Sequence, residues 1–65
     1  MHITINQTPH ALPEGATVLD ALAAIDAKPP FAVAVNTTFV PSADHARHLL
    51  QDGDSMEVIS PVTGG

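Results

Sequence analysis

The chain has 65 residues, 45% of them apolar, and seven acidic side chains against only Lys28 and Arg47, for a formal charge of −5. A domain of this size buries only ~60% of the surface its unfolded form exposes, so a deep substrate cleft would consume much of its one core. The charge argues against nucleic acid as a partner, and the absence of cysteine excludes disulfides, thiolate metal ligands and side-chain thiol chemistry.

Met1 to Asn6 alternates, with Met1, Ile3 and Ile5 on one face and His2, Thr4 and Asn6 on the other, which is the period of a half-buried strand. Asn6-Gln7-Thr8 reads as a turn, and Thr8 to Leu12 returns as a second strand, confined to an edge because Pro9 cannot donate to a ladder. Pro13-Glu14-Gly15 breaks the pattern. Thr17 then offers a helix N-cap, with Asp20 three residues on to complete a capping box. Val18, Ala21, Leu22 and Ile25 fall at i, i+3, i+4 and i+7 and form an apolar stripe, and Pro29-Pro30 is expected to end the helix.

Phe31 to Val35 is an apolar run of strand length. A polar break at Asn36-Thr37-Thr38 separates it from Phe39-Val40, so a second hairpin is expected. Ser42 offers a possible N-cap for a short helical segment through Leu49 or Leu50. Asp52-Gly53-Asp54 is a turn signal. Ser55 to Ile59 alternates again, with Met56 and Val58 on one side and Glu57 and Ile59 on the other.

The order is therefore ββαββ, short helix, β, an α+β arrangement with one main helix to cover one face of a mixed sheet of about five strands. A β-grasp, ubiquitin-like architecture fits it, with the first and last strands parallel at the centre. Residues 1–61 are assigned to this domain and 62–65 to a flexible C-terminal tail that projects from the last strand. No apolar run approaches the ~20 residues needed to span a bilayer, and no basic and apolar secretory signal opens the chain. The expected compartment is the cytoplasm, with no membrane partner and a monomer when alone.

Gly64-Gly65 is the feature that most needs a reason, since two glycines at the end should occur by chance in roughly 0.5% of chains. Val62, Thr63, Gly64 and Gly65 can extend by roughly 13 Å, and the missing Cβ atoms let the last two residues pass a narrow channel. An α-carboxyl group, with a pKa of about 3.5, is ionised at neutral pH and can attack the α-phosphate of ATP to become an acyl-adenylate. Sulfide or persulfide can then displace AMP. No G-x-x-x-x-G-K-[ST] loop is present, so a partner enzyme has to bind the nucleotide.

Taken in series, the opening strand with Asn6 at its turn, Thr17-Val18-Leu19, Val33-Ala34-Val35-Asn36, Val40-Pro41, Asp52-Gly53-Asp54 and Val62-Thr63-Gly64-Gly65 resemble the ThiS family, the sulfur carriers of thiamine biosynthesis. The resemblance spans essentially the whole chain. It implies that Gly65 is adenylated by a ubiquitin-activating-enzyme-like adenylyltransferase of the ThiF type, converted to a thiocarboxylate and presented to a ThiG-type thiazole synthase. ATP and a sulfur donor would be used through the partner, with no cofactor held stably by the chain. Two positions depart from the family's habit: Gln7, where glycine often follows the asparagine, and Ser42, where a basic residue is common after Val-Pro.

Ile59 should point away from the Met56 and Val58 side, so it is a candidate docking residue on the sheet face without a helix; core filling is the alternative. Replacement by Asp separates the two. His45 and His48 stand at i, i+3 on the expected short helix, but no third ligand is evident and no metal is assigned. His2 and His10 read as solvent-facing strand residues, and Asp52 and Asp54 as the flanks of a turn. No nucleophile, base and oxyanion constellation can be assembled, so no catalytic residue is assigned and the protein reads as a carrier acted on by enzymes. The small subunit of molybdopterin synthase, a ubiquitin-like protein modifier and, against the charge, an RNA-binding β-grasp module are the competing readings.

Overall fold

The computed structural model describes residues 1–60. Strand β1 (His2–Ile5) and strand β2 (Thr8–Ala11) form the first hairpin, helix α1 (Val18–Ala24) follows, and strands β3 (Ala32–Val35) and β4 (Thr38–Val40) form a second hairpin. A single 3-10 turn at Ser42–Asp44 leads to strand β5 (Ser55–Ile59). The sheet runs β2-β1-β5-β3-β4, with β1 and β5 parallel and the other neighbours antiparallel. This is the expected five-stranded mixed sheet with one helix, a β-grasp fold. The expected tail, Val62 to Gly65, lies outside the described residues, as does Pro61.

Alternation along each strand decides which face meets the helix. Ile3 and Ile5 of β1, Val33 and Val35 of β3, Val40 of β4 and Met56 of β5 are buried with Val18, Ala21 and Leu22 of α1 and with Leu50. Met56 and Val18 have no exposed surface, and complete burial of such side chains stabilises the fold by roughly 1.5–3 kcal/mol each. At the edge, Met1 and Leu12 exchange both backbone bonds. That sets the alternation so that Pro9, opposite Thr4, directs its ring nitrogen away from β1, where a missing donor costs nothing.

The capping box forms as expected. The Asp20 amide donates to Thr17 Oγ1 at 3.3 Å and the Thr17 amide to Asp20 Oδ2 at 2.9 Å. The helix stops at Ala24, before Pro29-Pro30 is reached, because Asp26 adopts a left-handed conformation with φ +53°. Its amide then donates to Ala23 and the Ala27 amide to Leu22, the paired bonds of a Schellman ending. The proline pair is therefore not what ends it.

The segment 42–50 departs more from expectation. Only one 3-10 turn forms, Pro41 takes the cap position without a side-chain bond, and Ser42 caps nothing. The carbonyls of His45 and His48 accept from the Leu19 and Val18 amides at 2.9 and 3.0 Å, Leu49 bridges to Thr17, and the Leu50 amide donates to Ala16. An α-helix here would have to keep the His45 carbonyl for its own ladder, whereas in this fold that carbonyl accepts from one of the first donors of α1.

Candidate functional site

Of the site expected from the sequence, Val62 to Gly65 lie outside the described residues and Ile59 is the last residue of the central strand β5. The Asn36 amide donates to the Ser55 carbonyl at 2.7 Å and the Asn6 amide to Met56 at 2.9 Å. Odd-numbered residues of β5 therefore turn their backbone groups to β3 and even-numbered residues to β1. Side chains alternate the other way: Met56 is buried and Val58 half-buried on the helix side, while Ser55, Glu57 and Ile59 face the open side. Ile59 is 61% exposed, so it does not fill the core. The parallel ladder with β1 ends at Ile5 opposite Met56, while β3 continues beside β5 as far as Ala32 opposite Ile59.

The open face carries one apolar neighbour that the sequence pattern did not single out. Register places Phe39 opposite Ala34, and Ala34 opposite Glu57, so Phe39, Ala34 and Glu57 form one cross-strand row and Ala32 with Ile59 the next. Phe39 is 64% exposed. The clue in the sequence was parity: Phe39 and Val40 must point to opposite faces of a strand, and Val40 takes the core.

Two Asn-led turns hold β5 from opposite sides. Asn6-Gln7 and Asn36-Thr37 are both two-residue turns with φ near +50° then +70°, the type I′ pattern of tight hairpins. The Asn36 Oδ1 accepts from the Ser55 amide at 2.9 Å, at the start of β5. The Asn6 Oδ1 accepts from the Val58 amide at 2.9 Å while its Nδ2 donates to the Val58 carbonyl at 3.2 Å, near the strand's end. Thr38, expected in the polar break, is the first residue of β4.

The remaining candidates have structural occupations. His45 is buried, bonded through Nε2 to the Val40 carbonyl at 3.0 Å and stacked on Phe31. It thus packs the loop against β4, and no cluster of metal-ligating side chains is present among the described residues. His2 is exposed as expected, but His10 is half-buried, since its place opposite Ile3 turns it to the helix side. Asp52 Oδ1 accepts from the His2 amide at 2.7 Å; Asp54 accepts from the Gln51 amide at 2.8 Å and from Asn36 Nδ2 at 2.9 Å. Both aspartates organise the turn before β5.

No pocket opens among the described residues, and no helix there is long and apolar enough to cross a membrane. The first donors of α1 are all taken, by His48, His45 and Thr17, so its N-terminus offers a phosphate nothing. Fold and register together define a β-grasp domain with one sheet face open. The model of the ThiS family matches residues 3–65, and the chain belongs to that family. Membership supports a sulfur-carrier role in thiamine biosynthesis. The structure is similar to a thiamine biosynthesis protein (ThiS) from Geobacter metallireducens, with a TM-score of 0.82 and 23% identity over 100% of both chains. Among curated proteins there is no significant match.

Proposed function

We propose that the protein carries sulfur for thiazole formation as a thiocarboxylate on Gly65. The observation that carries this reading is that the family match runs to residue 65 and so includes Gly64 and Gly65. A carboxylate oxygen attacks the α-phosphorus of ATP, the bond to the β-phosphate breaks and pyrophosphate leaves. A sulfide-level donor then attacks the acyl carbon, AMP departs, and the thiocarboxylate remains. With no pocket among the described residues, the nucleotide belongs to a partner, a ThiF-type adenylyltransferase, and delivery to a ThiG-type thiazole synthase follows. The open face around Ile59, with Ala32, Ala34 and Phe39, is the docking surface for such partners. Its exposed aromatic and aliphatic side chains lie on β5 and on the neighbouring β3 and β4, the kind of patch that marks a contact site.

The test is intact mass after incubation with the adenylyltransferase, ATP and a sulfur donor. A gain equal to sulfur in place of oxygen, abolished by deletion of Gly65, is expected. An unchanged mass with a demonstrably active partner would overturn the reading, and a ladder of larger adducts would favour a protein modifier instead.

A further inference from the structure

The carboxamide of Asn6 makes a contact that the hairpin itself does not require. Strand β1 turns away after Ile5, yet β5 runs on through Glu57, Val58 and Ile59. Val58 directs its amide and carbonyl to the side that β1 has left. A carboxamide offers the same donor and acceptor pair as a peptide group. Asn6 presents both, at 2.9 Å to the Val58 amide and 3.2 Å to the Val58 carbonyl. Its side chain thus stands in for the next residue of the parallel ladder. On the other flank, Val33 and Ala32 stay in register with Val58 and Ile59. The end of β5 is held from both sides.

We infer that Asn6 is a positioning residue for the activation of Gly65: by locking Val58 it fixes the direction and the starting point from which the chain beyond Ser60 reaches a partner's reaction centre. The inference deepens the proposed sulfur-carrier function and rests on it. The docking face includes Ile59, the last residue of β5, and Gly65 stands six residues further along the chain, so the reach between them starts where β5 stops being held. Each residue released from the sheet adds about 3.3 Å of unguided reach. A misplacement of about 1 Å at a reacting centre can cost about a hundredfold in rate.

Asn36 provides the internal control. It occupies the same turn position with the same φ of +50° and accepts from a β5 amide in the same way, but at Ser55, at the far end of the strand. Glycine tolerates that backbone conformation, so Asn6→Gly and Asn36→Gly each keep the turn and delete one clamp. With the full chain, the adenylyltransferase and ATP, pyrophosphate release is measured against carrier concentration, and amide exchange of Val58 is followed in the carrier alone. Asn6→Gly should lower kcat at least about tenfold with KM within about threefold, the pattern of an interaction made only at the reacting geometry, and should speed Val58 exchange. Asn36→Gly should leave kcat at the wild-type value. Equal kcat for the two variants, or unchanged Val58 exchange in Asn6→Gly, would overturn the inference alone; a wild-type chain that is never adenylated would overturn the function it rests on. Should the glycine variant fail to fold, Asn6→Asp keeps a left-handed turn residue without the Nδ2 donor and carries the same comparison, with wild-type kcat the refuting result.

Discussion

Thr37 stands where the second type I′ turn asks for glycine. It is exposed, β-branched and held at φ +70°. A left-handed conformation costs an L-residue about 1–2 kcal/mol, and branching at Cβ makes the position worse. Replacement by glycine removes that cost but gives the unfolded chain more freedom, worth about 0.4–1 kcal/mol in the opposite sense. Thr37→Gly should therefore stabilise the domain by somewhat under about 1 kcal/mol, a rise of roughly 3–6 °C in Tm for a domain of this size. Gln7 occupies the matching place in the first hairpin with the same φ but is unbranched, so Gln7→Gly should gain less. The assay is reversible thermal and urea unfolding of both variants and of the double variant. A Thr37→Gly protein no more stable than its parent would refute the strain argument, and a larger gain at Gln7 would refute the part assigned to branching.

Met56→Ala removes a side chain with no exposed surface at the centre of the sheet and should cost about 2–5 kcal/mol, enough to leave much of so small a domain unfolded at 37 °C; a loss of unfolding free energy in urea of less than a third of that would contradict the core assignment. Thr17→Ala removes the hydroxyl that accepts from the Asp20 amide and donates to Asp20 Oδ2 and should cost about 1 kcal/mol, while Thr17→Ser restores most of it. Ile59→Asp should change stability by under about 1 kcal/mol, because the side chain is on the open face. It should nevertheless weaken binding to the adenylyltransferase, measured by calorimetry, and wild-type affinity would remove Ile59 from the docking surface.

Much of the architecture is a local matter. The alternation at Ile3-Ile5 and at Met56-Val58, the stripe from Val18 to Ile25 and the Thr17-Asp20 box are each set by side chains within one turn or one strand, and a period of 2.0 or 3.6 residues reports them without knowledge of anything distant. Gly64-Gly65 is named by the sequence alone, because the lack of a Cβ is a property of the residue itself. The short helical segment from Ser42 forms, but its extent was not legible, for the opposite reason. Its helical pattern was outweighed when the His45 and His48 carbonyls became acceptors for α1, a demand that exists only once the two segments meet.

The residue types thus determined by themselves which stretches extend, which one coils and which end is free of side chains, since these depend on backbone preference and on the spacing of apolar groups along the chain. Only the tertiary structure decided the register that sets Thr4 opposite Ser55 and Ile5 opposite Met56, that Phe39 shares a face with Ile59, and that Asn6 closes its hydrogen bonds on Val58. Hydrogen-bonding groups on different segments have no spacing in sequence to betray them; their partners are fixed by which donor and acceptor are left over when the sheet is complete.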